Sequence, residues 1–149
     1  MQTLIDKDLQ SLQEARQLIA KANEAQQVLN RLDQQQIDGI VSAIAEAGER
    51  HAEKLARMAS EETGFGRAAD KVLKNRFASR TLYEALKNLK TVGILREDTA
   101  AKVIELGVPV GVVVGLVPST NPTSTVLFKA MISLKAGNAI IFSPHPNAK

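Results

Sequence analysis

Cysteine is absent from the 149 residues, which removes disulfides, thiolate metal sites and thiol catalysis from anything this chain does by itself. Two histidines, His51 and His145, are too few to build a zinc site unaided. Tryptophan is also missing and aromatics make up only 3% of the chain, so no surface of arginines interleaved with stacking rings is available for nucleic acid. No apolar run approaches the roughly 18 residues of a membrane span. The N-terminus carries acids and glutamines where a secretion signal would carry a basic and then an apolar stretch, so the expected location is cytoplasmic. What remains is 44% hydrophobic and 23% charged, the balance of a folded domain long enough to bury a core of its own.

The net charge of +3 hints at an anionic partner until its position is considered. Acids and bases balance over residues 1–99, and the surplus comes from Lys102, Lys129, Lys135 and Lys149 against Glu105 alone. It therefore belongs to the apolar tail, which is no basic stripe, and neither nucleic acid nor membrane is expected as a partner.

Texture divides the chain. No proline occurs between Met1 and Lys90, where Ala, Gln, Glu, Lys, Leu and Arg dominate. The apolar spacing predicts a helical layer over residues 1–92. Leu9, Leu12, Ile19 and Ala22 stripe a first helix. Asp33 is placed to cap a second, with a face running through Ile37, Ile40, Val41, Ile44 and Ala47 to Leu55 and Met58 before Gly64 and Gly66 stop it. A third, over 68–89, carries Leu73, Phe77, Leu82, Leu86 and Leu89. Its bases Arg67, Lys71, Lys74, Arg76 and Arg80 face only Asp70 within that span, and a solvated face is the plainer reading than an anion site.

Beyond Gly93 the apolar residues run together and strands are expected over 100–106 and 110–117, joined through Gly107, Val108 and Pro109. The second strand is apolar on both faces, the pattern of a central parallel strand between helical layers. Pro118 ends it. Ser119, Thr120, Asn121 and Pro122 form a polar loop, a helix follows over 123–136 with Thr123 or Ser124 as cap, and Gly137 closes that helix in a left-handed turn. A short strand over 139–142 runs into a stiff loop of Ser143, Pro144, His145 and Pro146. Residues 93–149 thus read as one β-loop-α-loop-β unit, the building block of a doubly wound nucleotide-binding sheet, and the fold class is α/β.

In such a sheet ligands bind beyond the carboxyl ends of the strands, where both polar loops lie, and the first amides of the intervening helix favour an anion or a developing oxyanion. Spacing alone equally accommodates a turn and an N-cap. Neither phosphate-cradling glycine fingerprint occurs. His51 reads as a surface residue, and His145 is the better site candidate of the two.

One stretch is distinctive: residues 111–125 (GVVVGLVPSTNPTST), then Phe128 and Lys129, then residues 137–146 (GNAIIFSPHP). It resembles the coenzyme A-acylating aldehyde dehydrogenases, including the aldehyde dehydrogenase half of bifunctional aldehyde-alcohol dehydrogenases. Residues 61–66 (EETGFG) and 70–79 (DKVLKNRFAS) are similar to that family's N-terminal helices, leaving only about the first twenty residues outside, as an ordinary packed helix or a leader or partner-binding segment. The resemblance implies a helical layer followed by the start of a Rossmann-like parallel sheet, an incomplete aldehyde dehydrogenase fold. It also implies oxidation of a small aldehyde by NAD with transfer of the acyl group to coenzyme A, reversibly, through a cysteine thioester.

The family's nucleophile lies in a catalytic region downstream of residue 149, so the chain is expected to be an inactive N-terminal fragment of an enzyme that is a homo-oligomer when complete, with residues 99–108 at the interface. The rival expectation is a non-catalytic binding or interaction module that retains part of the fold. In the wider family the loop after the strand reads Pro-Trp-Asn-x-Pro and the Asn amide donates to the oxyanion. Here Pro118 and Pro122 match while Thr120 stands in the Asn column and Asn121 one place later. Asn121 is the expected catalytic donor, since an amide NH₂ is a well-fixed donor, and the Thr120 hydroxyl is its rival. Val117, Pro118, Ser119, Thr120, Asn121, Ser143, Pro144 and His145 are the implied cofactor-binding residues. Ser143 stands where the family has a ribose-binding lysine and Pro146 where an acid would be, which leaves NAD against NADP open.

Overall fold

A computed structural model describes residues 6–148. Lys149 of the tail's charge surplus, and the opening five residues of the segment read as packed helix or leader, lie outside the described residues.

Helix α1 (Lys7–Leu29) starts on Asp6, whose Oδ1 accepts from the amides of Asp8 and Leu9 at 3.0 and 3.2 Å. Of the expected apolar stripe only Ala22 is buried, and Leu9, Leu12 and Ile19 are exposed. The other buried residue of α1 is polar: Gln26 donates from Nε2 to the Gly137 carbonyl (2.8 Å) and accepts at Oε1 from the Ala139 amide (2.6 Å). An apolar stripe is buried only where a second surface meets it, and α1 meets the rest of the fold through its last turns.

Asp33 caps α2 (Gln34–Arg50) in a full capping box with Gln36, as its place before the apolar spacing predicts. Ile37, Val41 and Ala45 pack with Met131 to form the core, surrounded by Leu32, Ile44, Leu82, Tyr83, Leu86, Val92 and Leu134. The face does not continue straight to Leu55 and Met58. The chain bends at exposed His51 (φ −103°, ψ 7°) and restarts as α3 (Ala52–Thr63), which buries Ala52, Ala56 and Ala59 and leaves Met58 outside. Three alanines let α3 lie close against α4 (Ala68–Arg76), where larger side chains would hold the helices apart. Gly64, at φ 68°, ends α3 in the left-handed conformation.

The third predicted helix is interrupted. After α4 comes a π-helical turn (Phe77–Thr81) and then the short α5 (Leu82–Leu86). Leu73, Phe77 and Leu89 are exposed, and the buried face is Lys71, Asn75, Ala78 and Ser79. The Ser79 hydroxyl donates to the Asn75 carbonyl at 2.7 Å within the widened turn.

The strands differ in part from expectation. β1 (Gly93–Asp98), which the spacing does not predict, pairs antiparallel with β2 (Val103–Gly107). Residues 100–102, expected as strand, form the hairpin turn, held by the Asp98 carboxylate accepting from the Ala101 amide at 2.8 Å. β3 (Val113–Val117) and β4 (Ile140–Pro144) pair in parallel, Val113 opposite Ile140 and Val117 opposite Pro144, and α6 (Pro122–Lys135) crosses between them. The predicted βαβ unit is therefore present. Among the described residues, however, β3 has β4 as its one partner, and Val114 and Leu116 are 65% and 67% exposed while Gly115 and Val117 are buried. β3 is apolar on two faces but covered on one. Neither Thr123 nor Ser124 caps α6, which begins at Pro122 with Asn121 in the cap position and no side-chain cap bond. Gly137, at φ 74°, closes α6, with its amide on the Leu134 carbonyl and that of Asn138 on the Ser133 carbonyl, both at 2.9 Å.

Candidate active-site loop

The loop between β3 and α6 is short because Pro118 cannot extend the strand's hydrogen bonding and Pro122 already has the helical φ. It is held from one side by three residues of α4. Lys71, only 4% exposed, donates from Nζ to the Thr120 carbonyl at 2.7 Å. Lys74 donates to Asn121 Oδ1 at 2.8 Å. Asn75, fully buried, accepts from the Thr123 hydroxyl at 2.8 Å and donates to the Ala52 carbonyl at 3.0 Å, joining α3, α4 and α6 at one point.

The basic set on this helix is thus no uniform solvated face. Arg67 pairs with Asp70 (2.9 Å) and Arg76 with Glu49 and Glu53 (3.4 and 3.3 Å), while Lys71 and Lys74 turn towards the loop. Burial pushes the Lys71 ammonium below the usual lysine range, and the charge of Lys74 adds to the effect. The hydrogen bond from Arg67 holds the Asp70 carboxyl below its usual range.

A groove of about 640 Å³ opens beside Asn121, walled by Leu73 from α4, Phe77 from the π-helical turn and Phe128 from α6, with Lys74 and Lys129 also lining it. Its surface is mostly apolar, with Lys74, Asn121, Ser124, Thr125 and Lys129 supplying the polar groups, which suits a small organic molecule that carries a polar group. Asn121 lines the groove, its Oδ1 is taken by Lys74, and its Nδ2 makes one long contact of 3.4 Å to the Thr120 hydroxyl.

The remaining candidates lie elsewhere. Val117 is buried, Ser119 half-buried and Pro118 exposed, and Ser143, Pro144 and His145 are exposed where the parallel pair ends. The His145 amide donates to the Val117 carbonyl at 2.8 Å and prolongs that pairing, while its Nδ1 accepts from the Asn147 amide at 3.1 Å, a turn-forming role. Val117 and Pro144 line a separate cavity of about 440 Å³ together with Leu55, Met58 and Phe142. The structure therefore sets Asn121 at one groove, with the Thr120 hydroxyl 3.4 Å from its Nδ2, and Val117 and Pro144 at a separate cavity. No cluster of metal-ligating side chains is present among the described residues.

Sequence reasoning missed Lys71, Lys74 and Asn75 as neighbours of the loop. The available signal was the nearly unopposed run of bases on that helix. Residues 71, 74 and 75 share a face at spacings of three and four, and a buried face that is polar needs partners.

The model of the aldehyde dehydrogenase family matches residues 2–149, and the chain belongs to that family. The bifunctional aldehyde-alcohol dehydrogenase AdhE of Escherichia coli K12 is 48% identical over 132 residues, covering 89% of this chain and 15% of that protein. A probable aldehyde dehydrogenase from Listeria monocytogenes superposes with a TM-score of 0.94 at 62% identity, over 96% of this chain and 32% of its own. An acetylating aldehyde dehydrogenase from Geobacillus thermoglucosidasius gives 0.93 at 54% identity, over 97% and 32%. The chain spans a third or less of the length of these relatives.

Proposed function

We propose that this chain forms the N-terminal portion of a coenzyme A-acylating, NAD(P)-dependent aldehyde dehydrogenase of the cytoplasm. Residues 1–92 form its helical region and 93–149 open its dinucleotide-binding domain, and a catalytic domain encoded beyond residue 149 supplies the thiolate. The observation that carries this reading is Asn121 lining a largely apolar groove with its carboxamide oxygen held by Lys74.

In the reaction a cysteine thiolate bonds to the aldehyde carbon and the carbonyl electron pair moves to oxygen. The Asn121 Nδ2 then donates to that oxygen, with the Thr120 hydroxyl 3.4 Å away as alternative donor. Leu73, Phe77 and Phe128 hold the apolar part of the aldehyde. The residues at the ends of β3 and β4 fit one wall of a dinucleotide site: Ser143, Pro144 and His145 stand exposed there beside the cavity that Val117 and Pro144 line. They would hold the adenosine side, with Pro118 and Ser119 nearer the reacting end, and the dinucleotide, when bound, accepts the hydride. Coenzyme A thiol takes the acyl group, and the complete enzyme is a homo-oligomer built through the region of residues 99–108.

With no cysteine in its sequence, the chain alone should give no NADH from acetaldehyde, coenzyme A and NAD. Isothermal titration with NAD should show weak or no binding, and tight binding would contradict the reading. The coding DNA past Lys149 discriminates further: an open frame containing a cysteine supports the enzyme, and a stop codon favours a non-catalytic interaction module.

A further inference from the structure

We propose that Lys74 is a positioning residue that sets the orientation of the Asn121 carboxamide, committing its oxygen to the helix and its NH₂ to the groove. The proposal rests on the reading of Asn121 as the oxyanion donor. A carboxamide has an acceptor end and a donor end of nearly the same shape, so packing alone does not choose between two orientations related by a half-turn. A charged group that can only donate does choose, and Lys74 is such a group, 2.8 Å from Oδ1. Turning the amide over would set NH₂ against an ammonium and lose a charge-assisted hydrogen bond.

The neighbouring atoms make the choice effective. On one side of Asn121 the Thr120 carbonyl is tied to buried Lys71 at 2.7 Å, and on the other Pro122 begins α6 and the Thr123 hydroxyl is tied to Asn75 at 2.8 Å. The backbone is therefore pinned at both flanks, and the carboxamide torsion is the main freedom left. Asn121 occupies the cap position of α6 yet its side chain makes no cap bond, so Lys74 has no competitor for Oδ1 within the helix. Of the two Nδ2 hydrogens, one has the long contact with Thr120 and the other has no partner among the described residues. That is the state a donor must be in to meet a charge that appears only during reaction. The ammonium also adds positive potential at the same mouth of the groove.

Two variants test this, Lys74→Met, which keeps length and loses the donor, and Lys74→Arg, which keeps a donor. Lys74 is exposed, so neither should disturb folding. The first measurement is ¹⁵N relaxation of the Asn121 side-chain amide in this chain. The order parameter of Nδ2 should fall in Lys74→Met and be kept in Lys74→Arg, with the backbone amides of Thr120 and Thr123 unchanged. An Nδ2 group equally ordered in all three proteins overturns the inference.

The second measurement is kcat and KM in the thiol-bearing enzyme of which the chain is proposed to form part. Asn121→Ala should lower kcat by about 10²–10³, the loss typical of one oxyanion donor. Lys74→Met should lower kcat in the same sense with KM little changed, Lys74→Arg should restore it, and the double variant should be no worse than Asn121→Ala. If Asn121→Ala leaves kcat intact, the reading of Asn121 fails while the relaxation result stands by itself. If Asn121→Ala is damaging and Lys74→Met is not, it is the role of Lys74 that fails.

Discussion

Asn75 shows how much of this fold turns on single polar side chains. It is fully buried and satisfied at both ends, by the Ala52 carbonyl and the Thr123 hydroxyl. Asn75→Ala would leave both partners unpaired, so it should cost about 1–3 kcal/mol in urea unfolding. Lys71 makes a prediction with a sign. Its folded pKa lies below the ordinary lysine value, so between that lowered value and about 10.4 the unfolded chain holds a proton that the folded chain has released. Unfolding free energy should therefore gain a rising contribution as pH climbs through that window. In a series of urea midpoints taken up to about pH 10.4, Lys71→Met should lack that contribution, and an unaltered slope would refute it. These residues were only half legible in the sequence. Their helical spacing was plain, but Lys71 and Asn75 were indistinguishable from solvated positions until α3 and α6 were seen against them.

At the scale of elements, the Asp33 cap and the glycine helix ends were the most legible features, because they depend on a few neighbouring residues, whereas the cap expected from Thr123 or Ser124 gave way to Asn121 and Pro122. Asp33 and Gln36 form the box that their spacing predicts, and Asp33→Ala should cost about 1 kcal/mol of stability in thermal unfolding. Gly137 and Gly64 end their helices through left-handed turns that other residues adopt only with strain. The junction of α2, the π-helical turn and α6 was not legible. There a Cβ on Gly48 would stand 2.7 Å from Ser79 Cβ and 2.9 Å from Leu127 Cδ2. Gly48→Ala should accordingly lower the unfolding midpoint by the equivalent of about 1–3 kcal/mol, despite alanine's better helix propensity. The break at His51 and the π turn were missed for the same reason: both answer to the way α3 and α4 pack and to no local signal. β1 was missed because Arg96, Glu97 and Asp98 interrupt its apolar pattern, whereas β3 is apolar throughout and β4 opens on Ile140, Ile141 and Phe142.

For the whole molecule, the uncovered face of β3 sets the behaviour in solution. Val114 and Leu116 are exposed on a sheet of two strands, and β2 adds exposed Val103, Ile104 and Leu106. Exposed apolar surface of this kind is costly in water, so the isolated chain should associate with itself as its concentration rises. Light scattering should show a mass that grows with concentration, and the double variant Val114→Thr, Leu116→Thr should reduce that growth. A constant monomer mass at all concentrations would show that the two faces are tolerated in water. The same feature explains one misplaced expectation. The two-faced apolar pattern of residues 111–117 indicates how a strand is ultimately covered, and among the described residues one of its faces has no cover.

By itself the amino-acid order determined the helical first part, the Asp33 cap and the glycine helix ends, the parallel βαβ unit and its kinship, because each is written in short-range spacing or in a run of residues that occurs together. Tertiary structure alone decided that two lysines and an asparagine of α4 grip the loop after β3, and that Asn121 stands at one groove while Val117 and Pro144 stand at another. Those contacts join residues nearly fifty positions apart, and no local spacing specifies which polar side chain will satisfy which when two helices close on a loop.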